Sequence, residues 1–207
     1  MTGASDPKDV VRRGYDEISH LYRADTDEPE HYARWLDALC GRVPAGGSVL
    51  DLGCGCGVPV ARTLVEHGYA VTGIDISEVQ IGRARGLVPG AEFRRADATD
   101  LEFAPASLDA VISFYALIHI PCDEQPGLIS RIGRWLRPGG WLLATTGAYA
   151  WTGTEDGWLG GTATMYWSHA DATTYREWIT QAGLTIEADE FVPEDDGGHQ
   201  LFWARKG

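Results

Sequence analysis

Three aspartates of the sequence, Asp51, Asp75 and Asp97, stand at or near the ends of short apolar runs. Such runs are typical of buried strands, and in α/β folds ligands bind beyond the carboxyl ends of strands. An ionised carboxylate accepts two hydrogen bonds at once and attracts an ammonium group. The three positions therefore predict a ligand site at the strand ends, in which Asp51 is suited to an ammonium group.

A glycine-rich segment follows the first of these aspartates. Gly53, Gly55 and Gly57 come directly after a predicted strand and before a predicted helix, where the missing side chains let the backbone approach a ligand. The dinucleotide-binding pattern G-x-G-x-x-G would need a glycine at position 58, which is Val58. The carboxylate of Asp51, two residues ahead of the glycines, would face a pyrophosphate poorly and an ammonium group well.

Short apolar runs alternate with helical segments, which is typical of strand–helix–strand units that form a parallel sheet. The sequence predicts strands over residues 48–52, 69–74, 91–95, 108–114 and 141–146. It predicts helices over residues 7–22, 29–40, 77–85, 122–136 and 171–182, and one that ends near residue 67. An acidic turn at residues 193–198 joins two final strands, over 184–192 and 199–205, as a hairpin.

Residues 48–146 resemble the class I S-adenosylmethionine-dependent methyltransferases, and Asp51 with its glycines resembles their first motif. Asp75 follows 24 residues later, where the family holds both ribose hydroxyls, and Asp97 stands where an acidic side chain meets the adenine amino group. Leu-Arg-Pro-Gly-Gly at residues 136–140 resembles a further signature. The cofactor-binding residues that the resemblance implies are Asp51, Gly53, Cys54, Gly55, Asp75, Ile76, Asp97, Ala98, Ser113, Tyr15 and Tyr22.

The resemblance implies one α/β domain over residues 1–207, with a Rossmann-like sheet of seven strands. The sheet would be mostly parallel, with a C-terminal antiparallel hairpin and helices on both faces. Residues 46–146 would form the cofactor-binding core, 171–207 the last helix and hairpin, and 1–45 a helical lid with a charged loop at 25–30. Tyr15 and Tyr22 are seven residues apart, so they share the helix face that would meet the cofactor.

The regular alternation stops between residues 147 and 170, which we expect to be a long loop beside the substrate. Aromatic residues among its glycines could form a flat apolar pocket, and the start of the last strand could complete it. The expected substrate-binding residues are Trp151, Tyr166, Trp167 and His199.

The resemblance places Tyr115, just past the fourth strand, beside the transferring methyl group. A general base is needed only if the methyl acceptor starts protonated, and histidine titrates near neutral pH. We therefore expect His119 and His169 as catalytic residues, with His199 as a third candidate base.

The chain carries 17 Lys and Arg against 30 Asp and Glu, a net charge of −13, which argues against nucleic acid or an anionic membrane as partner. No apolar run is long enough for a membrane span, and the polar start lacks the apolar centre of a secretory signal. The spacing of the four cysteines is not that of a metal site, so we expect no metal. We expect the thiols to be reduced, which is typical of a cytoplasmic protein. The protein would be a monomer or a homodimer.

These features predict methyl transfer by in-line displacement from S-adenosylmethionine, which leaves S-adenosylhomocysteine. The acceptor would be an oxygen or nitrogen of a small molecule, with sulfur less favoured. Two alternatives remain open at this point. The glycine loop with a downstream acidic residue also fits an NAD(P)-dependent oxidoreductase of Rossmann type, and the same fold could bind S-adenosylmethionine without catalysis.

Overall fold

The computed structural model describes residues 6–26, 30–194 and 197–207. The helices in this part of the chain are α1 (Pro7–Tyr22), α2 (Glu30–Cys40), α3 (Val60–Glu66), α4 (Glu78–Leu87), α5 (Gln125–Trp135) and α6 (Ala172–Gln181). The strands are β1 (Ser48–Leu52), β2 (Ala70–Asp75), β3 (Glu92–Arg95), β4 (Leu108–Ser113), β5 (Leu136–Gly147), β6 (Trp151–Asp156), β7 (Thr164–His169), β8 (Leu184–Glu194) and β9 (Gly197–Lys206).

Seven strands form one sheet in the order β3-β2-β1-β4-β5-β9-β8. The first five strands are parallel, whereas β9 runs antiparallel to both of its neighbours. The predicted α/β sheet with its C-terminal hairpin is therefore confirmed. The strand order reverses between β1 and β4, and a crevice for a ligand is expected at the carboxyl ends of the strands on either side of such a point.

Helices cover both faces of the sheet. Successive side chains of a strand point to opposite faces, so a buried strand packs against helices on both sides. In β1, Val49 packs with residues of α2, α3 and α4, whereas Leu50 packs with residues of α5 and α6. Both side chains are buried. The sheet is thus a rigid support whose carboxyl edge can hold a site.

Short polar side chains fix where several helices begin. Asp6 accepts a hydrogen bond from the backbone N–H of Lys8 at the start of α1, with Pro7 as the first helical residue, as predicted. Asp171 plays the same part at the start of α6. Ser77 accepts from the N–H of Gln80 at the start of α4, directly after the carboxyl end of β2.

Residues 147–170 are not a long loop, and that expectation was wrong. β6 and β7 pair as an antiparallel hairpin, from Trp151 opposite His169 to Asp156 opposite Thr164, and form a separate two-stranded sheet. The sequence did not show the hairpin because β6 is largely exposed and contains Thr, Gly and acidic residues without an apolar alternation. β7 buries Met165 against α1, so the hairpin supports the first helix.

The two N-terminal helices play different parts. α1 packs through Val11 and Ile18 on the β6–β7 hairpin, as a lid over the carboxyl edge of the sheet. α2 instead buries Trp35 and Leu36 in the core on one face of the sheet. The first five residues, the centre of the charged loop (27–29) and the tip of the acidic turn (195–196) lie outside the described residues.

Candidate functional site

A cavity lies at the carboxyl ends of β1, β2 and β4, beneath α1. A second cavity shares part of its wall and contains Asp51, Cys54 and Arg23. The main cavity brings together most of the residues that the sequence predicts for the cofactor or for catalysis, namely Tyr15, Tyr22, Gly53, Gly55, Asp75, Ile76, Asp97, Ala98, Tyr115 and His119.

Asp75 ends β2 and is held by the backbone. Its Oδ2 accepts the N–H of Gly55 at 2.9 Å, and its Oδ1 accepts the N–H of Ser77 at 2.8 Å. Burial raises the pKa of Asp75 to about 6, although these N–H groups favour the ionised form. Each carboxylate oxygen keeps a lone pair, so Asp75 can accept two further hydrogen bonds from a ligand.

Asp51 lies on β1 with only 2% of its surface exposed. Its Oδ2 makes no hydrogen bond to any residue that the structure describes. Burial, together with the negative charge of Asp75, raises the pKa of Asp51 to about 8. A buried carboxylate without a partner is costly unless a cation or donor joins it, so Asp51 is suited to a cationic group of a ligand.

Two glycines of the loop have different structural roles. A Cβ on Gly53 would stand 2.1 Å from the Cβ of Ala116, so Gly53 lets the chain after β4 pass close to the loop. A Cβ on Gly55 would meet nothing within 4 Å, although the residue lines both cavities. Gly55 is therefore the place where a ligand can lie directly on the backbone.

Asp97 is held by Lys8, a residue that the sequence analysis missed. Lys8 Nζ lies 2.8 Å from Asp97 Oδ2, and the N–H and hydroxyl of Thr99 both donate to Asp97 Oδ1 at 2.8 Å. Partial burial favours the neutral acid, but the hydrogen bonds from Lys8 and Thr99 keep the pKa of Asp97 below its usual value. Asp97 is thus an ionised acceptor at the wall of the cavity.

His119 connects the lid, the hairpin and the end of β4. Its Nδ1 lies 2.7 Å from the carbonyl oxygen of Tyr166, and its Nε2 lies 3.0 Å from the hydroxyl of Tyr15. Burial lowers the pKa of His119 to about 4, with smaller contributions from His169 and His199. The imidazole is therefore neutral near pH 7.

Aromatic rings cover the cavity on the lid side. The ring of Trp158 lies 5.8 Å from that of Tyr15 and 5.7 Å from that of Tyr22, and the Trp167 ring lies 4.3 Å from the His119 ring. The guanidinium of Arg23 lies over the Tyr22 ring, at 5.5 Å, and lines the second cavity beside Asp51. The rings of Tyr15, Tyr22, Trp158 and Trp167 thus belong to one apolar cluster beside the cavity.

Tyr115 faces a polar pair from the terminal hairpin. Its ring lies 5.1 Å from that of His199, whose Nε2 is 3.4 Å from a carboxylate oxygen of Glu194. Burial and a hydrogen bond with Glu194 raise the pKa of Tyr115. The backbone N–H of Tyr115 donates to Thr145 Oγ1 at 2.5 Å, which holds the residue in its left-handed conformation with φ 60°.

Six of the expected site residues line neither cavity, namely Ser113, Trp151, Tyr166, Trp167, His169 and His199. Ser113 is the last residue of β4, and its side chain is fully buried. His169 lies on β7 and hydrogen-bonds the carbonyl oxygen of Tyr149 through Nδ1 at 2.6 Å. Trp151 is 47% exposed on the outer strand β6, beside His169. Among the described residues, no group of three His, Cys, Asp or Glu is arranged to hold a metal.

Known proteins with similar sequences show to which family this arrangement belongs. The family pattern described as "Methyltransferase domain" matches residues 49–140, the segment that contains the glycine loop and all three aspartates. The chain belongs to the class I S-adenosylmethionine-dependent methyltransferases. The chain is 34% identical over 154 residues to the 27-O-demethylrifamycin SV methyltransferase of Amycolatopsis mediterranei (strain S699), covering 64% of this chain and 56% of that relative. It is 34% identical over 152 residues to methyltransferase GfsG of Streptomyces halstedii, covering 62% and 54%.

Solved structures share the fold of this chain. Magnesium protoporphyrin IX methyltransferase from Synechocystis PCC 6803, with bound S-adenosylmethionine, superimposes with a TM-score of 0.75 at 19% identity and 100% coverage of both chains. The cyclase SpnF superimposes with a TM-score of 0.74 at 22% identity, covering 98% of this chain and 97% of SpnF. At these identities the likeness shows the fold. The chain spans about half the length of the curated relatives that it matches.

Proposed function

We propose that the protein transfers a methyl group from S-adenosylmethionine to an oxygen or nitrogen atom of a small-molecule acceptor. The observation that carries the proposal is the pair of carboxyl groups of Asp51, which is buried, and Asp75, which is partly buried, because each lines a cavity together with the open backbone of Gly55. A pyrophosphate beside these carboxyl groups would oppose their ionisation, whereas an ammonium group favours it, and this disfavours the dinucleotide alternative. They favour a ligand with an ammonium group and a pair of hydroxyls.

The residues present fit this cofactor. Asp51, whose Oδ2 makes no hydrogen bond within the described chain, would hold the ammonium group, and Arg23 in the same cavity would hold the neighbouring carboxylate. The two remaining lone pairs of Asp75 would accept the ribose hydroxyls. Asp97 and Ala98 would contact the adenine at the other end of the main cavity.

When bound, the cofactor supplies a sulfonium methyl group that is open to in-line displacement. The protein must keep the acceptor aligned with that group and exclude water. Tyr15, Tyr22 and Trp158 cover the cavity for this purpose. We assign His119 to the orientation of Tyr15, because its Nε2 is already engaged by the Tyr15 hydroxyl.

A proton from a hydroxyl or amine acceptor then needs another base. Tyr115 lies at the end of β4, and we propose that His199, with Glu194 beside it, takes the proton there. His169 stays a prediction as a base, and Trp151, Tyr166 and Trp167 stay predictions as substrate contacts. Tyr166 and Trp167 lie beside His119, whereas Trp151 would reach only a large acceptor.

The acceptor would be a small and largely apolar molecule. One of the relatives is named as a methyltransferase of 27-O-demethylrifamycin SV, and the aromatic rings of Trp158 and Trp167 lie beside Tyr15 and His119. The net charge of −13 disfavours nucleic acid. None of the described helices is both long and apolar enough to cross a bilayer. We propose a cytoplasmic monomer or homodimer, since all four cysteines are free thiols.

Isothermal titration with S-adenosylhomocysteine, S-adenosylmethionine and NAD(P)H tests the cofactor. We expect both adenosyl compounds to bind and Asp75→Asn to weaken them about 10-fold or more, the usual effect of losing hydrogen bonds to a charged group. Asp100→Asn, an exposed aspartate nearby, is the matched control. Binding of NAD(P)H in place of S-adenosylhomocysteine would overturn the proposal.

Transfer itself is tested with methyl-labelled S-adenosylmethionine and a panel of small phenols, hydroxylated macrocycles and amines. We expect label in an acceptor together with an equal amount of S-adenosylhomocysteine. Cofactor binding without transfer to any acceptor would favour the non-catalytic alternative.

A further inference from the structure

The side chain of Lys8, in the first turn of α1, contacts three polar groups from distant parts of the described chain. Its ammonium group lies 2.8 Å from Asp97 Oδ2, 2.7 Å from Thr99 Oγ1 and 2.5 Å from Glu124 Oε2. An ammonium group has three N–H donors, so these three acceptors use all of them. Lys8 therefore has no donor left for a ligand, although it lines the main cavity.

The contacts of Asp97 can be counted in the same way. Oδ1 accepts both the backbone N–H and the hydroxyl of Thr99, which fills its two lone pairs. Oδ2 accepts from Lys8 and keeps one lone pair. Asp97 lines the cavity between Ala96 and Ala98, so the chain leaves one acceptor position there for a ligand N–H group.

We propose that Lys8 is a positioning residue for cofactor selectivity, which holds Asp97 so that its remaining lone pair on Oδ2 accepts one N–H of the adenine amino group. This inference rests on the proposed function. Lys8 belongs to α1, so the lid, and not only the strand end, determines how the adenine amino group is recognised. Glu124 holds Lys8 from the far side and does not itself line the cavity.

The test compares S-adenosylhomocysteine with an analogue in which hydrogen replaces the adenine amino group, by isothermal titration. We expect the wild type to prefer S-adenosylhomocysteine by about 10-fold or more, as for a hydrogen bond to a charged acceptor. Lys8→Met should weaken S-adenosylhomocysteine and leave the analogue nearly unchanged, so that the preference falls to about threefold or less. Lys8→Arg, which keeps the charge, should restore part of the preference.

Two further variants separate selectivity from folding. Arg13→Met removes an exposed cation from the same helix and should leave the preference unchanged. Glu124→Gln loosens Lys8 without touching Asp97 and should lower the preference by a smaller factor, which keeps the test available if Lys8→Met does not fold.

The outcomes are distinct. If Lys8→Met weakens both ligands equally, or if neither Lys8→Met nor Glu124→Gln changes the preference, Lys8 has only a structural role and the inference is wrong. If the wild type binds neither ligand, the proposed function itself fails.

Discussion

Tyr15 donates its hydroxyl proton to Nε2 of His119, over a distance of 3.0 Å. The direction follows from the other ring nitrogen, because Nδ1 faces the carbonyl oxygen of Tyr166 and a carbonyl can only accept. His119 is therefore protonated on Nδ1 and accepts at Nε2. Because Nε2 of His119 is engaged in this way, the hydroxyl of Tyr15, which also lines the cavity, is the polar group of the pair that can still accept a hydrogen bond.

His119 should stay neutral throughout the physiological pH range. Burial lowers its pKa to about 4, so the folded state binds fewer protons than the unfolded state between that value and about 6.5. Stability should therefore fall as the pH drops through this interval. A titration followed by long-range ¹H–¹⁵N correlation should show the Nδ1-protonated form down to about pH 5.

The exposed His67 provides an internal comparison in the same spectra. In Tyr15→Phe, the ¹⁵N shift of His119 Nε2 should change because its donor is lost, while Nδ1 stays protonated. Titration of His119 near pH 6.5, or protonation at Nε2 in the wild type, would contradict this arrangement and return His119 to the list of candidate bases.

Strand ends explain why much of the site could be predicted from the sequence. The sequence pattern identifies β1, β2 and β3, and parallel strands bring their carboxyl ends to one edge of the sheet. Asp75, Gly55 and Asp97 therefore had to lie near one another. The spacing of Tyr15 and Tyr22 likewise placed both on the lid face that lines the cavity.

Contacts between distant segments could not be predicted in this way. Lys8 meets Glu124 across 116 residues and His119 meets Tyr166 across 47, and neither pair leaves a local pattern. The β6–β7 hairpin was missed because its outer strand has no apolar alternation. Ser113 stays a prediction as a cofactor contact, because its buried side chain lines neither cavity.

Asp51 should reduce the stability of the cofactor-free protein at alkaline pH. Its pKa is raised to about 8, so between about pH 4 and pH 8 the folded state binds more protons than the unfolded state and stability falls as the pH rises. Asp51→Asn removes this penalty. Its melting temperature should exceed that of the wild type by several degrees at pH 8, since roughly 1 kcal/mol corresponds to 2–4 °C in a chain of this size.

Asp97→Asn should behave in the opposite way, because the hydrogen bonds from Lys8 and Thr99 lower the pKa of Asp97. The ionised form of Asp97 stabilises the fold above the pKa of the unfolded state. Asp97→Asn should therefore melt below the wild type at pH 7, and the difference should shrink as the pH falls below about 4.

Equal melting temperatures for Asp51→Asn and the wild type at pH 8 would show that the ionised form of Asp51 does not destabilise the fold.

Binding of S-adenosylhomocysteine should release a proton from Asp51. With a pKa of about 8, this carboxyl is roughly nine-tenths protonated at pH 7 in the free protein, and a neighbouring ammonium group favours the ionised form. The binding enthalpy at pH 7 should therefore depend on the ionisation enthalpy of the buffer, with a slope near one proton released. The slope should approach zero at pH 9 and in Asp51→Asn. A slope that persists in that variant would assign the proton to another group, such as Asp75.

Gly55→Ala should weaken ligand binding by more than its loss of folding stability explains. Its φ is +53°, so Gly55→Ala carries the strain of a left-handed alanine, about 1–2 kcal/mol, but its Cβ would enter open space in the cavity wall. Gly68→Ala is the matched control, because Gly68 has φ +83°, also has open space, and lies on the exposed turn after α3.

Both alanine variants should lose similar stability, measured by urea unfolding. Only Gly55→Ala should weaken S-adenosylhomocysteine, by about 10-fold or more, because a methyl group would occupy the space where the ligand lies on the backbone. Unchanged affinity in Gly55→Ala would mean that the ligand does not touch this backbone, and the pair of carboxylates around Gly55 would then need a different explanation.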